Sequence, residues 1–315
     1  MADKPTRDGF GEGLLELGKT HPHVVALSGD LEDSSRAVWF KKQYPDRFFS
    51  VGIAEQDMIG TAAGLALAGK VPFACSFSQF VTGKTLEQLR MAVCYQRLDV
   101  KIAGSHGGLS VGADGATAEA LEEFGHMRTL PYMTVIVPCD AIEAKKATIA
   151  CADYPGPVFL RLGRAPVPTL TKESDPYRIG EAIVMRPGDD VSIVACGVMV
   201  GHALQAAEQL AKEGIGVRVL NLHTIKPIDR NTLIAAARET GAVVTAEEHT
   251  VLGGLGSAVA EVLVQAAPVP MRFVGIADVF GTSGDPAELL KVFHLMPEDI
   301  VKAVKDVLRL KQNAL

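Results

Sequence analysis

Short runs of Val, Ile and Phe recur along the first half of the chain, and longer amphipathic stretches separate most of them. The runs read VVALSGD, RFFSVGI, VPFACSF, VKIAGS, TVIVPCD and VFLRLG. Uniformly apolar strands that alternate with helices are typical of a parallel sheet covered on both faces. The first half is therefore predicted to be an α/β domain with a doubly wound, mostly parallel sheet.

A proline-punctuated polar segment, APVPTLTKESDPYR, interrupts this alternation after Arg164. Such a composition suits an exposed linker better than a buried element. The alternation resumes with DVSIVACG, VRVLNL and AVVTAEE and with helical patterns such as PEDIVKAVKDVLRL. The predicted organisation is a first domain over residues 1–166, a linker over 167–178 and a smaller α/β domain over 179–315.

Composition favours small-molecule chemistry over binding to nucleic acid or to a membrane. The chain has 31 Lys and Arg against 37 Asp and Glu, a formal net charge of -6, which gives no basic footprint for such partners. No apolar run approaches the roughly 20 residues of a membrane span, and the start MADKPTRDGF lacks a signal-peptide pattern. We expect a cytoplasmic protein.

The cysteines and the glycine-rich strings predict no metal or nucleotide site. The string GLALAGKV lacks the hydroxyl residue of a P-loop, GKT lacks the upstream glycine, and VLGGLGSAV has Val259 in place of the third glycine of a dinucleotide motif. The cysteines have no metal-ligand spacing, so we expect reduced core thiols. They are Cys75, Cys94, Cys139, Cys151 and Cys196.

The stretch SVGIAEQDMIG places Glu55 and Asp57 at the start of a predicted helix. Carboxylates in a first turn interact favourably with the helix dipole, which is one interpretation of both residues. The other is that apolar neighbours, Ile53 and Met58 among them, raise the pKa of a carboxyl group and keep it protonated as a donor. These residues alone leave both interpretations open.

Three strings of the first half, GIAEQDMIGTAAGLALAG, PFACSFSQFV and GSHGGLSVGADGAT, resemble the pyrimidine-binding domain of transketolase. The later strings LNLHTIKPID, TAEEHTVLGGLGSAVAEVL and FGTSGDPAELL resemble its C-terminal domain. The resemblance covers nearly the whole chain in order. It implies thiamine diphosphate-dependent transfer of a two-carbon ketol unit from a ketose phosphate to an aldose phosphate, as in the pentose phosphate pathway.

The resemblance assigns three residues to the cofactor. Glu55 matches the glutamate that shares a proton with N1′ of the aminopyrimidine, which favours the imino tautomer and lets the cofactor deprotonate its own thiazolium C2. Phe80 would stack on the pyrimidine, and Phe77 would be the supporting wall. Their spacing by itself is typical of core residues near a strand end.

The resemblance also assigns five residues to the substrate. His106 and Asp114 would face the sugar hydroxyls, with His106 also a catalytic candidate, and the loop's glycines would let the backbone approach the substrate. Arg7, Ser34 and Arg164 match a phosphate clamp, since a planar guanidinium suits a phosphate dianion. Taken singly, each is more typical of a surface arginine, a capping serine or a locally bonded histidine.

No GDG string occurs in the sequence, although this family holds Mg²⁺ and the diphosphate through a GDG…N signature. The resemblance therefore implies the C-terminal half of a split transketolase, inactive alone. A separate N-terminal subunit would carry the diphosphate and most of the Mg²⁺ ligands, and we expect an α2β2 heterotetramer. A 1-deoxyxylulose-5-phosphate synthase-like enzyme, a 2-oxo-acid dehydrogenase β subunit and a non-catalytic partner subunit are the alternatives.

One position departs from the family pattern. Ala118, in the string GATAE, stands where transketolases usually have a histidine. The smaller side chain predicts a changed or broadened sugar specificity. The alternative is that a partner side chain or an ordered water fills the gap.

Overall fold

The structure, a computed structural model that describes residues 3–313, contains two sheets with helices packed on them. The strands are β1 Val24–Ser28, β2 Phe48–Ser50, β3 Val71–Phe77, β4 Lys101–Ser105, β5 Thr134–Ile136, β6 Val158–Arg161, β7 Ile183–Arg186, β8 Val191–Ala195, β9 Val217–Asn221, β10 Thr224–Lys226, β11 Val243–Thr250 and β12 Met271–Ile276. The helices are α1 Thr6–Thr20, α2 Val38–Gln43, α3 Glu55–Leu67, α4 Ser78–Gly83, α5 Leu86–Gln88, α6 Glu123–Thr129, α7 Ala141–Asp153, α8 Met199–Ala211, α9 Arg230–Thr240, α10 Leu255–Ala266, α11 Pro286–Val292 and α12 Pro297–Asn313.

The first sheet has the strand order β10-β5-β6-β4-β3-β1-β2. Every pairing in it is parallel except that of the edge strand β10 with β5. The strands β1 and β4 are buried along their whole length, as expected for a sheet covered on both faces. The predicted fold class is confirmed, and the late strand β10 completes the edge of the first sheet.

The second sheet has the order β12-β11-β8-β9-β7, with β7 antiparallel to its neighbour β9. Sequence patterns indicated β8, β9 and β11, which lie in the middle of this sheet. They did not indicate the edge strands β7 and β12: no residue of β7 is fully buried, and only two residues of β12 are. An edge strand needs less apolar burial, so its sequence signal is weaker.

The segment after Arg164 is less exposed than its composition predicts. The backbone N–H groups of Leu170 and Thr171 donate to Asp140 Oδ2 at 2.7 and 2.6 Å, and Thr171 is buried. Asp140 also caps the start of α7. The predicted linker is therefore not exposed along its whole length, because one carboxylate ties part of it to the first domain.

Two further sequence expectations concern cysteines and membrane spans. All five cysteines are buried and unpaired, which confirms the prediction of free core thiols. Among the helices of residues 3–313, none combines the length and the apolar character that crossing a membrane would require.

Candidate active site

Most candidate residues follow the carboxyl ends of parallel strands, where open α/β sheets bind their ligands. The residues concerned are Ser34 after β1, Glu55 after β2, Phe77 and Phe80 at the end of β3 and in α4, His106 and Asp114 after β4, and Arg164 after β6. Arg7 reaches the same edge of the sheet from the first turn of α1. The topology thus gathers residues that lie far apart in the sequence.

Glu55 is the first residue of α3 and is only 3% exposed. Its Oε1 accepts a hydrogen bond from Ser76 Oγ at 3.3 Å, and its Oε2 pairs with Lys84 Nζ at 3.1 Å. The carboxyl group is not surrounded by apolar atoms alone, because both of its oxygens have polar partners; of its predicted apolar neighbours, Met58 is fully buried and Ile53 is 77% exposed. The carboxyl group therefore lies between a packed helix face and a polar, accessible edge.

A row of stacked rings begins beside Glu55. The Phe77 and Phe80 rings stack with centroids 5.6 Å apart and an interplanar angle of 23°, and Phe77 stacks on His106 at 3.9 Å and 19°. Lys84 Nζ lies 4.4 Å from the Phe80 centroid, so one ammonium contacts both the aromatic face and the carboxylate. An aromatic face beside a buried carboxyl group fits the needs of an aminopyrimidine, which combines a planar ring with hydrogen-bonding edges.

A polar pocket of about 520 Å³ adjoins this row of rings. It brings together all five predicted substrate residues, and Phe77 forms part of its wall. Its lining is Arg7, Asp33, Ser34, Arg36, Phe77, His106, Asp114 and Arg164. Three guanidinium groups around one pocket favour an anionic ligand.

His106 forms hydrogen bonds through both ring nitrogens. Arg7 Nη1 donates to Ser34 O at 2.9 Å and lies 3.3 Å from His106 Nε2. Because a guanidinium has no acceptor, Nε2 must accept, and the Nδ1–H donates to Ser105 Oγ at 3.0 Å. Burial, followed by the charge of Arg7, lowers the pKa of His106 to about 3. The imidazole is therefore neutral, and it could act on a substrate only after Arg7 releases it.

Arg7 and Arg164 are held in place by neighbouring residues. Gly163 N donates to Thr6 Oγ1 at 2.7 Å, which joins the residues that immediately precede the two arginines. Arg164 Nη1 lies 3.7 Å from Asp114 Oδ1, and both side chains are more than one third exposed. Arg164 can therefore leave Asp114 for a bound anion at little cost.

Arg36 was missed by sequence reasoning. Its backbone is in the left-handed region, with φ 68°, an uncommon conformation for a residue other than glycine. Its Nε donates to Asp8 Oδ1 at 2.7 Å and its Nη1 to Asp33 O at 3.1 Å. The pKa of Arg7 is lowered by burial and then by the charge of Arg36. No spacing rule could have identified Arg36, because a loop conformation directs it to the pocket.

The loop glycines at 107 and 108 lie against buried side chains of the protein. A Cβ on Gly107 would lie 2.3 Å from Arg161 Nε, and one on Gly108, at φ +85°, would lie 2.2 Å from Arg161 Nη2 and 2.3 Å from Glu248 Oε2. The two later glycines of the loop approach residues of the second domain. Gly107 and Gly108 thus make room for buried side chains, and their expected role in letting the backbone approach the substrate stays a prediction.

The glycine-rich string VLGGLGSAV forms the start of α10, which is capped by a carboxylate of the same chain. Glu247 accepts hydrogen bonds from Leu255 N at 2.6 Å and Gly256 N at 2.8 Å, so its carboxylate caps the start of α10. A Cβ on Gly254 would lie 2.0 Å from Glu247 Oε2. A side chain of the protein itself thus takes the helix end where a nucleotide motif would place phosphate.

Two expectations stay predictions at this stage. Ala118 is buried and does not line the anion pocket, so its effect on sugar specificity is untested. Over residues 3–313, no three His, Cys, Asp or Glu side chains are grouped as metal ligands. The expected Mg²⁺, held mainly by a partner subunit, stays a prediction.

Comparison with known proteins gives two family matches that together cover most of the chain. Residues 3–169 match the family model "Transketolase, pyrimidine binding domain", and residues 180–300 match "Transketolase, C-terminal domain". The chain is 43% identical to the 6-deoxy-6-sulfo-D-fructose transketolase subunit of Clostridium sp. strain MSTE9, covering 96% of this chain and 94% of that protein.

Two more relatives share this full-length similarity. One of them, an apulose-4-phosphate transketolase subunit of Phocaeicola vulgatus, is 39% identical, over 96% of this chain and 97% of that protein. A solved structure described as a split gene transketolase, inactive beta4 tetramer, superposes with a TM-score of 0.91 at 45% identity, covering 98% of this chain and 99% of the other. Similarity thus extends over whole subunits and not over isolated motifs.

Proposed function

Because the chain belongs to the transketolase family, we propose that it supplies the pyrimidine-binding and sugar-binding half of a thiamine diphosphate-dependent ketol transferase. A ketose phosphate is the proposed donor and an aldose phosphate the proposed acceptor. A separate subunit would bind the diphosphate and Mg²⁺, in an α2β2 assembly located in the cytoplasm. The full-length similarity to separately encoded subunits supports this division.

The placement of Phe77 is the observation that carries the proposal. Its ring stacks on Phe80, beside the Glu55 carboxyl group, and the same ring lines the pocket that contains three arginines. A planar cofactor ring on Phe80 and an anionic substrate group among the arginines would therefore lie at opposite ends of one continuous site. Ketol transfer between sugar phosphates needs this juxtaposition.

Each residue of the site has a proposed task. Bound thiamine diphosphate would supply a nucleophilic carbon that takes up the two-carbon unit. Glu55 would hold a proton at the pyrimidine edge, and Phe80 would orient the ring. Arg7 and Arg164 would bind the phosphate, while His106, neutral and buried, would hold Arg7 before the substrate binds and contact the sugar once Arg7 turns to the phosphate.

Reconstitution tests this function. The chain should be inactive alone and active after co-expression with a subunit that contains a GDG motif. The donor panel should contain xylulose 5-phosphate, fructose 6-phosphate, apulose 4-phosphate, 6-deoxy-6-sulfofructose and pyruvate, with ribose 5-phosphate as acceptor and an assay without thiamine diphosphate as control. Use of pyruvate alone would favour the synthase or dehydrogenase alternatives, and binding without turnover of any donor would favour a non-catalytic subunit.

Replacing Arg164 by Ala should raise KM for phosphorylated donors much more than for the matching unphosphorylated sugars. A hydrogen bond to a charged group contributes about 1.5–3 kcal/mol. Because this side chain is 40% exposed, we expect a loss near the lower end of that range, which corresponds to roughly a tenfold decrease in kcat/KM for phosphorylated donors. Arg178→Ala is the matched control, because that arginine is 75% exposed, pairs with the exposed Glu181 and lies outside the pocket lining. Equal losses for both kinds of sugar would show that Arg164 has a structural role.

Replacing Lys84 by Met should tighten binding of thiamine diphosphate to the assembled complex. The ammonium occupies the space between Glu55 and Phe80, so a pyrimidine ring seated there must displace it. Since Lys84 is half exposed, this ion pair is worth at most about 1 kcal/mol, which limits the gain to about fivefold. Lys212→Met, a change at an exposed lysine of the second domain, is the control for calorimetry. Weaker binding by the Lys84 variant would mean that the lysine assists the cofactor.

A further inference from the structure

A second pocket, of about 470 Å³, lies between the two domains. It takes its walls from α4, from the segment leading into α6, and from the loops that follow β11 and β12. Its lining combines carboxyl groups with apolar side chains and comprises Gln79, Ala116, Glu119, Leu121, Glu122, Gly125, His126, Thr250, Leu252, Ala277, Asp278, Val279, Phe280 and Gly281.

Glu119 is the unusual member of this lining. The residue is 3% exposed, and among residues 3–313 neither of its carboxylate oxygens has a hydrogen-bond partner. The second domain makes room for it, because a Cβ on Gly281 would lie 1.8 Å from Glu119 Oε2. A third buried polar atom of the lining, His126 Nδ1, also lacks a partner within the described residues. Buried polar atoms are nearly always paired, so three unpaired atoms in one pocket indicate a missing ligand.

The charge of the pocket indicates the chemistry of that ligand. Glu122 and Asp278 line it together with Glu119, whereas no Lys or Arg of residues 3–313 does. Burial, followed by the negative charge of Glu248, raises the pKa of Glu119 to about 7. A cation with N–H donors would satisfy the orphaned oxygens and relieve the repulsion between the carboxylates.

The rim of the pocket is apolar and exposed. Leu252 is 61% exposed, Val279 57% and Phe280 84%. A contiguous group of large apolar side chains at the surface is typical of a protein interface. Apolar residues that surround a buried charged contact also resemble the arrangement of an interaction hot spot.

The pocket adjoins the cofactor side of the protein. Gln79 lines it and lies 3.3 Å from Glu122, to which it donates a hydrogen bond. The next residue of the same short helix is Phe80, the candidate platform for the pyrimidine. A subunit that carries the diphosphate end of the cofactor must therefore contact the protein close to this pocket.

We propose that the pocket anchors a lysine or arginine side chain of the diphosphate-binding subunit, whose apolar stem packs against Leu252, Val279 and Phe280. The charged end of that side chain pairs with Glu119. This inference rests on the proposed function, because it requires such a subunit. The pocket then contributes to assembly of the enzyme and takes no part in its chemistry.

Subunit affinity tests the proposal, measured by sedimentation or interferometry with the co-expressed GDG subunit. Glu119→Gln and Phe280→Ser should each weaken association, the former by about 30-fold or more, because an unpaired cation would be left buried. Glu288→Gln and Val264→Ser are the controls, since both residues are exposed and lie outside the pocket. Thermal melting of the isolated variants should show that they remain folded.

The pH dependence of association gives a second measurement. The titratable groups that face Glu119 are Glu122 and His126 of the adjoining segment, Glu248 of β11 and Asp278 after β12. Since a protonated carboxyl group cannot pair with a cation, wild-type association should tighten as the pH rises from 6 to 8. Glu119→Gln should lose most of that dependence.

The outcomes separate this proposal from the proposed function. If the wild-type subunits do not associate, the proposed function fails. If they associate and the Glu119 and Phe280 variants bind as tightly as the controls, the function stands and the anchor is wrong. Stabilisation of the isolated wild-type chain by agmatine, with unchanged subunit affinity in Glu119→Gln, would also overturn the anchor and indicate a small-molecule site.

Discussion

Glu55→Gln should lower turnover of the assembled enzyme by about 10²- to 10⁴-fold, the usual contribution of a positioned proton donor or acceptor. Glutamine keeps the shape of the side chain and a polar atom in each of the two terminal positions, so the amide oxygen can still accept the hydrogen bond from Ser76 Oγ. The amide cannot share a proton with the pyrimidine, however. Subunit assembly and thermal stability should therefore change little while chemistry is lost.

The matched control is Asp57→Asn, which removes a carboxylate from the same first turn of α3 at an exposed position. Any loss that arises from the helix dipole would appear in both variants, whereas a loss of proton transfer would appear only in Glu55→Gln. Exchange of the C2 proton of bound thiamine diphosphate separates chemistry from substrate binding. A normal exchange rate in Glu55→Gln would remove Glu55 from the mechanism.

The central strands of both sheets could be predicted because their signal is local. A strand buried on both faces must be apolar along its length, so β1, β4 and β8 are recognisable without any tertiary information. The edge strands β7 and β12 have one open side and no such constraint. The sequence pattern therefore indicated which strands form the middle of each sheet and gave little information on where each sheet ends.

The residues of the candidate site also fall into two groups, those that the sequence could identify and those that it could not. Residues within recognisable strings, such as Glu55 and His106, could be proposed from the sequence, and the structure places them along one line of contacts. Lys84, Arg36 and Glu119 could not, because their importance depends on what lies beside them. Lys84 is defined by its position over Phe80, Arg36 by a left-handed loop conformation, and Glu119 by the absence of a partner. No motif encodes such three-dimensional relations.

The buried cluster beneath the glycine loop shows most clearly what local patterns omit. Arg161 Nε lies 3.2 Å from Glu123 Oε1, and its Nη1 lies 3.1 Å from Glu248 Oε2, with all three side chains at most 4% exposed. Arg161 comes from the first domain and Glu248 from the second. A single buried cation thus holds the two domains together beside the site, although its sequence context, VFLRLG, reads as an ordinary strand end.

Arg161→Met should lower the free energy of unfolding by about 3–5 kcal/mol, because it leaves two carboxyl groups buried without their cation. Arg309→Ala is the control, since that surface arginine is 74% exposed and pairs with Asp306 on the same helix, so its loss should cost less than about 1 kcal/mol. Adding Glu123→Gln and Glu248→Gln to Arg161→Met should recover part of the stability in denaturant titrations. A loss no larger than that of the control would show that the cluster does not stabilise the fold.

The pH dependence of the stability lost in Arg161→Met follows from the direction in which the pKa of Glu123 is shifted. Burial raises the pKa of Glu123 to about 8 even though Arg161 opposes the shift. A carboxyl group whose pKa is higher in the folded state contributes stability below its unfolded pKa, near 4.5, and loses it as the pH rises through the folded value. Removing Arg161 raises the folded pKa further, so the two stability curves should run parallel below about pH 7, and the variant should go on losing stability above pH 8, where the wild type levels off. Curves that stay parallel above pH 8 would mean that Arg161 and Glu123 do not interact as charges.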